Sequence, residues 1–340
     1  MIQITKMWWA CLAISLLFAG YFFFQGSKWS GEPLRLPEKK AYSTDVVKPI
    51  PSSRIDNQEK VLLGFTLFND PNFSSNQQVS CASCHHLETN GAEKLRVSHG
   101  VNGFGLRNSP TVFNVSLNTR FFWDGRASSL EHQIDGPIHN PLEMNTNWAT
   151  VVKEVKRSKD YKALFSSTYD GEITEQTIKD ALVIFMSSLN TPDAPFDKFL
   201  MGDDSALSAA AKRGWFNFQK LGCIACHQGQ NLGGNLFQRF GNLQSILPDE
   251  QVTDLGRYNL TGNNEDKYVF RVPGLRNVAT TPPYFHDGHA ATLEEAIAIM
   301  ARVQLGMELD AVTTLELSAF LNSLTAPKPP ILRDLMNENQ

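Results

Sequence analysis

The sequence has no excess of basic charge: 31 Lys and Arg stand against 35 Asp and Glu, a formal net charge of −4. No positive field therefore draws it to nucleic acid. It lacks strong compositional bias too, with 42% hydrophobic and 19% charged residues among 340, which excludes disorder and collagen-like structure and leaves enough apolar residues for a packed core. At about 100–200 residues per domain the length suggests about two domains. No stretch sustains period-2 alternation; from Ile55 onward short helical patterns are separated by loops containing Gly, Asn and Pro, so the class is mainly α.

Long apolar runs are also scarce, and the one present is N-terminal. Met7 to Phe24 is an 18-residue stretch without a charge, longer than the roughly 7–15-residue core of a cleavable signal. Lys6 precedes it, and Gly20-Tyr21-Phe22-Phe23-Phe24 offers no small-x-small cleavage site. Residues 1–25 read as an uncleaved transmembrane anchor, the alternative being a signal peptide with an unusual cleavage site; either way the remainder is exported. Residues 26–54, with Pro33, Pro37, Pro49 and Pro51 among charges, read as an extended tether.

The chain then repeats itself. Leu63-Gly64-Phe65-Thr66-Leu67-Phe68 matches Arg213-Gly214-Trp215-Phe216-Asn217-Phe218, each with Gly and Phe four apart. Leu106-Arg107-Asn108 is echoed by Leu275-Arg276-Asn277, and FWDGRASSLE from Phe122 by FHDGHAATLE from Phe285, an offset of 285 − 122 = 163. Each half closes with a helical pattern ended by proline, at Pro192 and Pro327. Two similar domains are expected at 55–200 and 201–330, followed by a C-terminal tail, 331–340.

Cysteine is rare, but its placement is telling. Cys11 lies in the apolar run and is inert there; the other four form Cys81-Ala82-Ser83-Cys84-His85 and Cys223-Ile224-Ala225-Cys226-His227. Two thiols on one tight turn can form thioethers to a haem, leaving the next histidine beneath the iron, so each domain is expected to carry one covalent haem c. A thioredoxin-like pair needs no following histidine, and a four-cysteine zinc site usually draws on pairs closer than these, which begin 142 residues apart (223 − 81).

The sixth ligand sets each iron's task. In the second half Met300, seven residues after Leu293, is a suitable methionine ligand; at the 163-residue offset the first half has Pro137. The first half offers His86, His99, His132 and His139, of which His99 stands in the glycine-rich stretch SHGVNGFG and suits a ligand that can swing away. Trp123, Gln133 and Glu143 surround the segment GPIHNPLEM, where a carboxylate could relay a proton between the two oxygens of a peroxide.

With these residues the chain resembles the bacterial dihaem cytochrome c peroxidases over about 55–327, through SCASCH, RNSPTVFN, FWDGRASSLEHQ, the Glu143-Met144 pair, TPDAPFDKFLMGD, GCIACH, PYFHDG and AIMARVQLG. The resemblance implies two tandem cytochrome c-like domains that reduce hydrogen peroxide to water. It implies His85 as proximal and His99 as displaceable distal ligand of the peroxidatic haem, Glu143 as acid-base group, Gln133 near peroxide, and Trp123 between the haems. It further implies His227 and Met300 on the electron-accepting haem, and a calcium ion at Asn108 with backbone oxygens of Thr281 and Pro283. His286 matches a family histidine near that second haem, without an assigned step.

The expected donor is a small c-type cytochrome or blue copper protein, the expected place the periplasmic face of a bacterial inner membrane, and a homodimer fits the family. One rival is a non-catalytic dihaem electron-transfer cytochrome, against which Glu143, Gln133 and the missing first-half methionine argue. The other is a relative of the dihaem enzyme that oxidises tryptophans on a partner protein, where tyrosine would stand in the place of Met300.

Overall fold

The computed structural model describes residues 46–53, 55–243 and 254–337. The expected anchor and most of the tether fall outside these residues; among the described residues no helix is long and apolar enough to cross a membrane. The fold is mainly helical: α1 (Gln58–Asn69), α2 (Leu130–His139), α3 (Trp148–Arg157), α4 (Lys159–Thr168), α5 (Glu175–Ser187), α6 (Pro195–Leu200), α7 (Ala209–Lys220), α8 (Tyr258–Thr261), α9 (Leu293–Leu305), α10 (Ala311–Asn322) and α11 (Pro330–Asn337). Two short antiparallel ribbons interrupt it, β1 (His99–Gly100) with β2 (Gly103–Phe104), and β3 (Phe237–Arg239) with β4 (Val269–Arg271).

The repeated sequence builds the same helix crossing twice. Asn57, Thr174, Ser208 and Asp310 cap α1, α5, α7 and α10 by accepting backbone N–H groups, which satisfies donors that each helix start leaves open. A Cβ at Gly64 would run into Ala181 O and Phe185, and one at Gly214 into Glu316 O and Phe320. Glycine is thus what lets α1 lie on α5 and α7 on α10. Four residues on, Phe68 meets Phe185 at 5.3 Å and Phe218 meets Phe320 at 5.1 Å. Two apolar cores result, one around Leu63, Phe68, Phe165 and Phe185, the other around Trp215, Phe218, Leu293 and Phe320.

A polar pin joins the halves. Thr191 Oγ1 accepts from Asn114 Nδ2 at 2.7 Å and from Asn277 Nδ2 at 2.9 Å. Both asparagines are left-handed, with φ of 60° and 63°, and each precedes a 3-10 turn, Val115–Leu117 or Val278–Thr280. Their spacing, 277 − 114 = 163, equals that of the FxDG strings. The partner of Asn277 is therefore Asn114, and the likeness of Leu106-Arg107-Asn108 to Leu275-Arg276-Asn277 is coincidental.

Both ends of the described chain depart from the expected tether and tail. Residues 46–50 are strapped onto the second half: Val46 O accepts from Gly229 N, Pro49 O from Gln230 Nε2, Lys48 O from Arg276 Nη2, and Ile50 N donates to Asp197. Val47 is buried in the second core. The strap is fixed by the Arg276–Asp197 ion pair, 2.7 Å long, with both side chains 1% exposed. The C-terminal residues form α11, which inserts Ile331, Leu332 and Leu335 into the first core. Val47 and Ile50, isolated beside prolines, carry no period from which their burial could be read, whereas Ile331, Leu332, Leu335 and Met336 do stand at the spacing of one helix face.

Candidate functional site

Each Cys-x-x-Cys-His segment closes on itself as a 3-10 turn, Cys81–Ser83 and Cys223–Ala225, with the histidine N–H bonded to the first cysteine's carbonyl at 3.0 Å in both. The four thiols are free. Burial pushes Cys81 and Cys84 up to about 12 and Cys223 up to about 11, and raises Cys226 as well. Such thiols are protonated and poorly nucleophilic, unlike those of a dithiol redox site. Burial pushes His85 and His227 down to about 4, so both are neutral imidazoles, the form that ligates a metal. Nearby backbone groups favour the proton of each, but burial outweighs them, and Nδ1 of both is enclosed without a hydrogen-bond partner. Phe68 and Phe218 stand at equivalent distances from them, 6.3 and 6.4 Å between ring centroids.

In the second half these residues open onto one apolar cavity of about 250 Å³. Cys223, Cys226 and His227 line it together with Met300, Ile297 and Leu293 of α9. A pair of thiols, a neutral histidine and a thioether around an apolar space fit a covalently held haem with His and Met ligands. Among the described residues no group of three or more His, Cys, Asp or Glu forms a metal cage.

The first half is furnished differently. At the offset of Met300 stands Pro137, inside α2. Glu143 follows that helix, half-buried, and burial pushes its pKa above the ordinary carboxylate value, opposed by the Asn140 amide and by Arg126. Asn140 Nδ2 donates to Glu143 Oε1 at 2.7 Å. The carboxylate lies close enough to Cys81 and Cys84 to raise their pKa values, which places it at the first Cys-x-x-Cys turn. Gln133 lies on α2, partly buried.

His99 is not brought into this group. It is exposed, its ring packed edge-on against Phe104 at 4.9 Å. The ribbon itself lies against the Glu143 segment: Val101 N donates to Glu143 O at 2.9 Å, and a Cβ at Gly100 would collide with Leu142 O and the Glu143 backbone. The expectation of a cap over the first iron thus meets a side chain turned to solvent, because the ribbon's alternation buries Ser98 and Gly100 and exposes the residue between them.

Trp123 belongs to the first half yet lines the second half's cavity. Its indole Nε1 donates to Asn108 O at 2.8 Å, and Asn108 N donates to His286 O at 2.7 Å. Asn108 Nδ2 donates to Leu95 O. Thr281 Oγ1 is bonded to Val278 O, and Pro283 follows a cis peptide. His286 stacks on Phe270 with centroids 4.2 Å apart, and burial lowers its pKa, against the pull of Asp287 and Asp254.

Sequence reasoning missed the charges around this junction. Arg107 grips both oxygens of Asp254 at 2.7 and 2.9 Å and Asp124 at 2.7 Å. Burial would raise Asp254, but these bonds outweigh it and hold the acid below its ordinary value. Nothing in the order of residues pairs positions 147 apart. Asn140 was equally hidden, its one signal being that it stands three residues before Glu143.

The sequence profile of the family described as di-haem cytochrome c peroxidase matches residues 58–205. The chain is 40% identical over 297 residues to cytochrome c peroxidase Ccp of Escherichia coli, covering 86% of this chain and 64% of that protein, so it spans less than two thirds of that relative's length. It is 38% identical over 302 residues to cytochrome c551 peroxidase of Nitrosomonas europaea, covering 87% of this chain and 90% of that protein. Among solved structures, a MauG-like protein associated with microbial copper homeostasis superposes with a TM-score of 0.72 at 27% identity, covering 84% of this chain and 96% of that one.

Proposed function

This chain belongs to the di-haem cytochrome c peroxidase family and is a peroxidase of the oxidoreductase class, and from that premise we propose that it reduces hydrogen peroxide to water with electrons from a small c-type cytochrome or blue copper protein. The observation that carries this reading is the unlike furnishing of the two halves. Met300 and His227 share one cavity, while the first half has Pro137 at the same offset and, nearby, a half-buried carboxylate, Glu143.

Cys81 and Cys84 would hold one haem and Cys223 and Cys226 the other, as thioethers; His85 would ligate the first iron, and His227 and Met300 the second. When bound, the haems supply one-electron transfer and the iron at which the peroxide O–O bond is cleaved. The chain supplies the rest. Glu143, ionised, takes a proton from one peroxide oxygen and delivers it to the other, held in place by Asn140 Nδ2. Gln133 orients the peroxide, and Trp123 stands between the two sites. The sum is H2O2 + 2 e− + 2 H+ → 2 H2O. His99 would reach the first iron only if the ribbon β1–β2 folded inward from its exposed position, a movement that would gate access to that site.

A calcium ion at the junction is the remaining cofactor of this reading. Asn108 Oδ1 faces no competing role from its amide, which is donated to Leu95 O; the carbonyl oxygens of Thr281 and Pro283 complete a set of oxygen donors that suits a hard cation. Residues 1–25 hold the enzyme at the periplasmic face of the inner membrane, as a monomer or homodimer with domains at 55–200 and 201–330. Purified holoprotein given peroxide and a reduced small cytochrome tests the proposal. Stoichiometric oxidation of two donors per peroxide is expected; a protein that exchanges electrons with the donor and leaves peroxide intact overturns it.

A further inference from the structure

Three arginines lie at or near the junction, Arg271 and Arg276 buried and Arg107 partly buried, and two of them have partners in the protein. Arg276 pairs with Asp197 at 2.7 Å, and Arg107 with Asp124 and Asp254. The third, Arg271, is 4% exposed and lines the second cavity. Its Nε donates to Phe122 O at 3.1 Å, and among the described residues no carboxylate pairs with it. Burial pushes its pKa down to about 10, so it still carries its charge near neutrality. An uncompensated guanidinium in an apolar cavity is costly, and such groups are normally paired. The cavity wall around it is aromatic and aliphatic, with Phe270, Val272 and Trp123 beside it, and supplies no anion.

We propose that Arg271 is the counter-charge for the propionate carboxylates of the second haem, and that it ties that haem's edge to the Trp123 segment of the first half. The proposal rests on the reading of this cavity as a haem site. Arg271 is placed for both tasks at once. Its backbone N–H donates to Trp123 O at 2.7 Å while its guanidinium, bonded to Phe122 O, reaches the cavity. β4 fixes this geometry by pairing with β3 in the register Phe237↔Arg271. A planar, always-charged fork is the side chain suited to carboxylate recognition in a dry site. A fixed positive charge beside the haem opposes oxidation of the iron, and so raises its reduction potential.

Spectroelectrochemical titration of the holoprotein and of its R271Q and R271K variants tests this. Haem content is measured first; fewer than two covalent haems in the unaltered protein would refute the haem reading itself. With two haems present, R271Q is expected to lower the second haem's potential by about tenfold in its reduction equilibrium, about 59 mV for one electron. The first haem should be unmoved, and R271K should restore most of the loss. An unshifted second haem in a fully loaded R271Q protein overturns the proposal, as does an equal shift of both haems. Where R271Q fails to load, R271K decides through resonance Raman: the propionate bending band of the second haem moves if Arg271 binds it, and an unmoved band refutes the contact.

Discussion

The rings of Trp123 and His286 meet edge to face at the junction, centroids 6.3 Å apart and planes at 68°. They occupy the same position in the two halves, 286 − 123 = 163, and each follows a phenylalanine forced into the left-handed region, Phe122 at φ 65° and Phe285 at φ 73°. A bulky residue at such an angle costs on the order of 1–3 kcal/mol. Both copies bear that strain, and both turn the next ring toward the shared boundary.

Removing one ring should therefore slow communication more than folding. W123A is expected to keep both covalent haems and to slow oxidation of the second haem by peroxide at least about tenfold, because an aromatic contact and the bond to Asn108 O are lost together. Stopped-flow absorbance at wavelengths separating the two haems measures it. An unchanged rate would mean that electrons cross elsewhere.

Glu143 must be ionised to accept a proton. Since burial raises its pKa, the acid limb of kcat/KM for peroxide should lie above the ordinary value of 4.5, with activity lost as pH falls through it. E143Q should reduce kcat/KM by about 10²–10⁴-fold, the usual worth of a general acid-base group, with haem content unchanged.

Asn140 acts through Glu143. Its amide stabilises the ionised carboxylate, so N140A should raise the Glu143 pKa further and move the acid limb to higher pH. A loss of kcat/KM without displacement of that limb would show a merely structural role. The pH profile of the variant distinguishes the two.

Gly100 tests the contact between the ribbon and the acid-base segment. G100A forces a methyl group against Leu142 O and the Glu143 backbone, and peroxide turnover should fall. G105A is the control, since a Cβ there meets only Ser98 O at an ordinary 3.6 Å. Equal activities in the two variants would contradict a close ribbon–segment contact.

Thr191 should matter to stability alone. T191V leaves the buried Asn114 and Asn277 amides without their shared acceptor, at roughly 1–3 kcal/mol for each unsatisfied group. Urea unfolding should show a lower midpoint at unchanged m-value.

The chemistry was more legible in the sequence than the architecture that holds it. The two Cys-x-x-Cys-His turns and Met300 are local patterns, and local spacing fixes them. Gly64 and Gly214 were visible as landmarks, although only the structure shows which carbonyl each one admits. The Leu-Arg-Asn echo misled because identical tripeptides outweigh an offset: the true counterpart, Asn114, is preceded by Phe113 where the second half has Arg276. His99 carried the right chemistry for a ligand, but a two-residue strand sets its facing, and no helical or long-strand period reports that. Arg107–Asp254 and Arg276–Asp197 join residues 147 and 79 apart (276 − 197), and only tertiary structure pairs them.

The crossed ends of the chain have a consequence for the duplicated halves. The strap at 46–50 enters the second core before the first begins, and α11 returns to the first after the second is complete. Severing the chain near residue 200 would thus leave each fragment missing a piece that the other carries, with apolar surface bared on both. The two copies have become interlaced, and neither can be excised as a self-sufficient module.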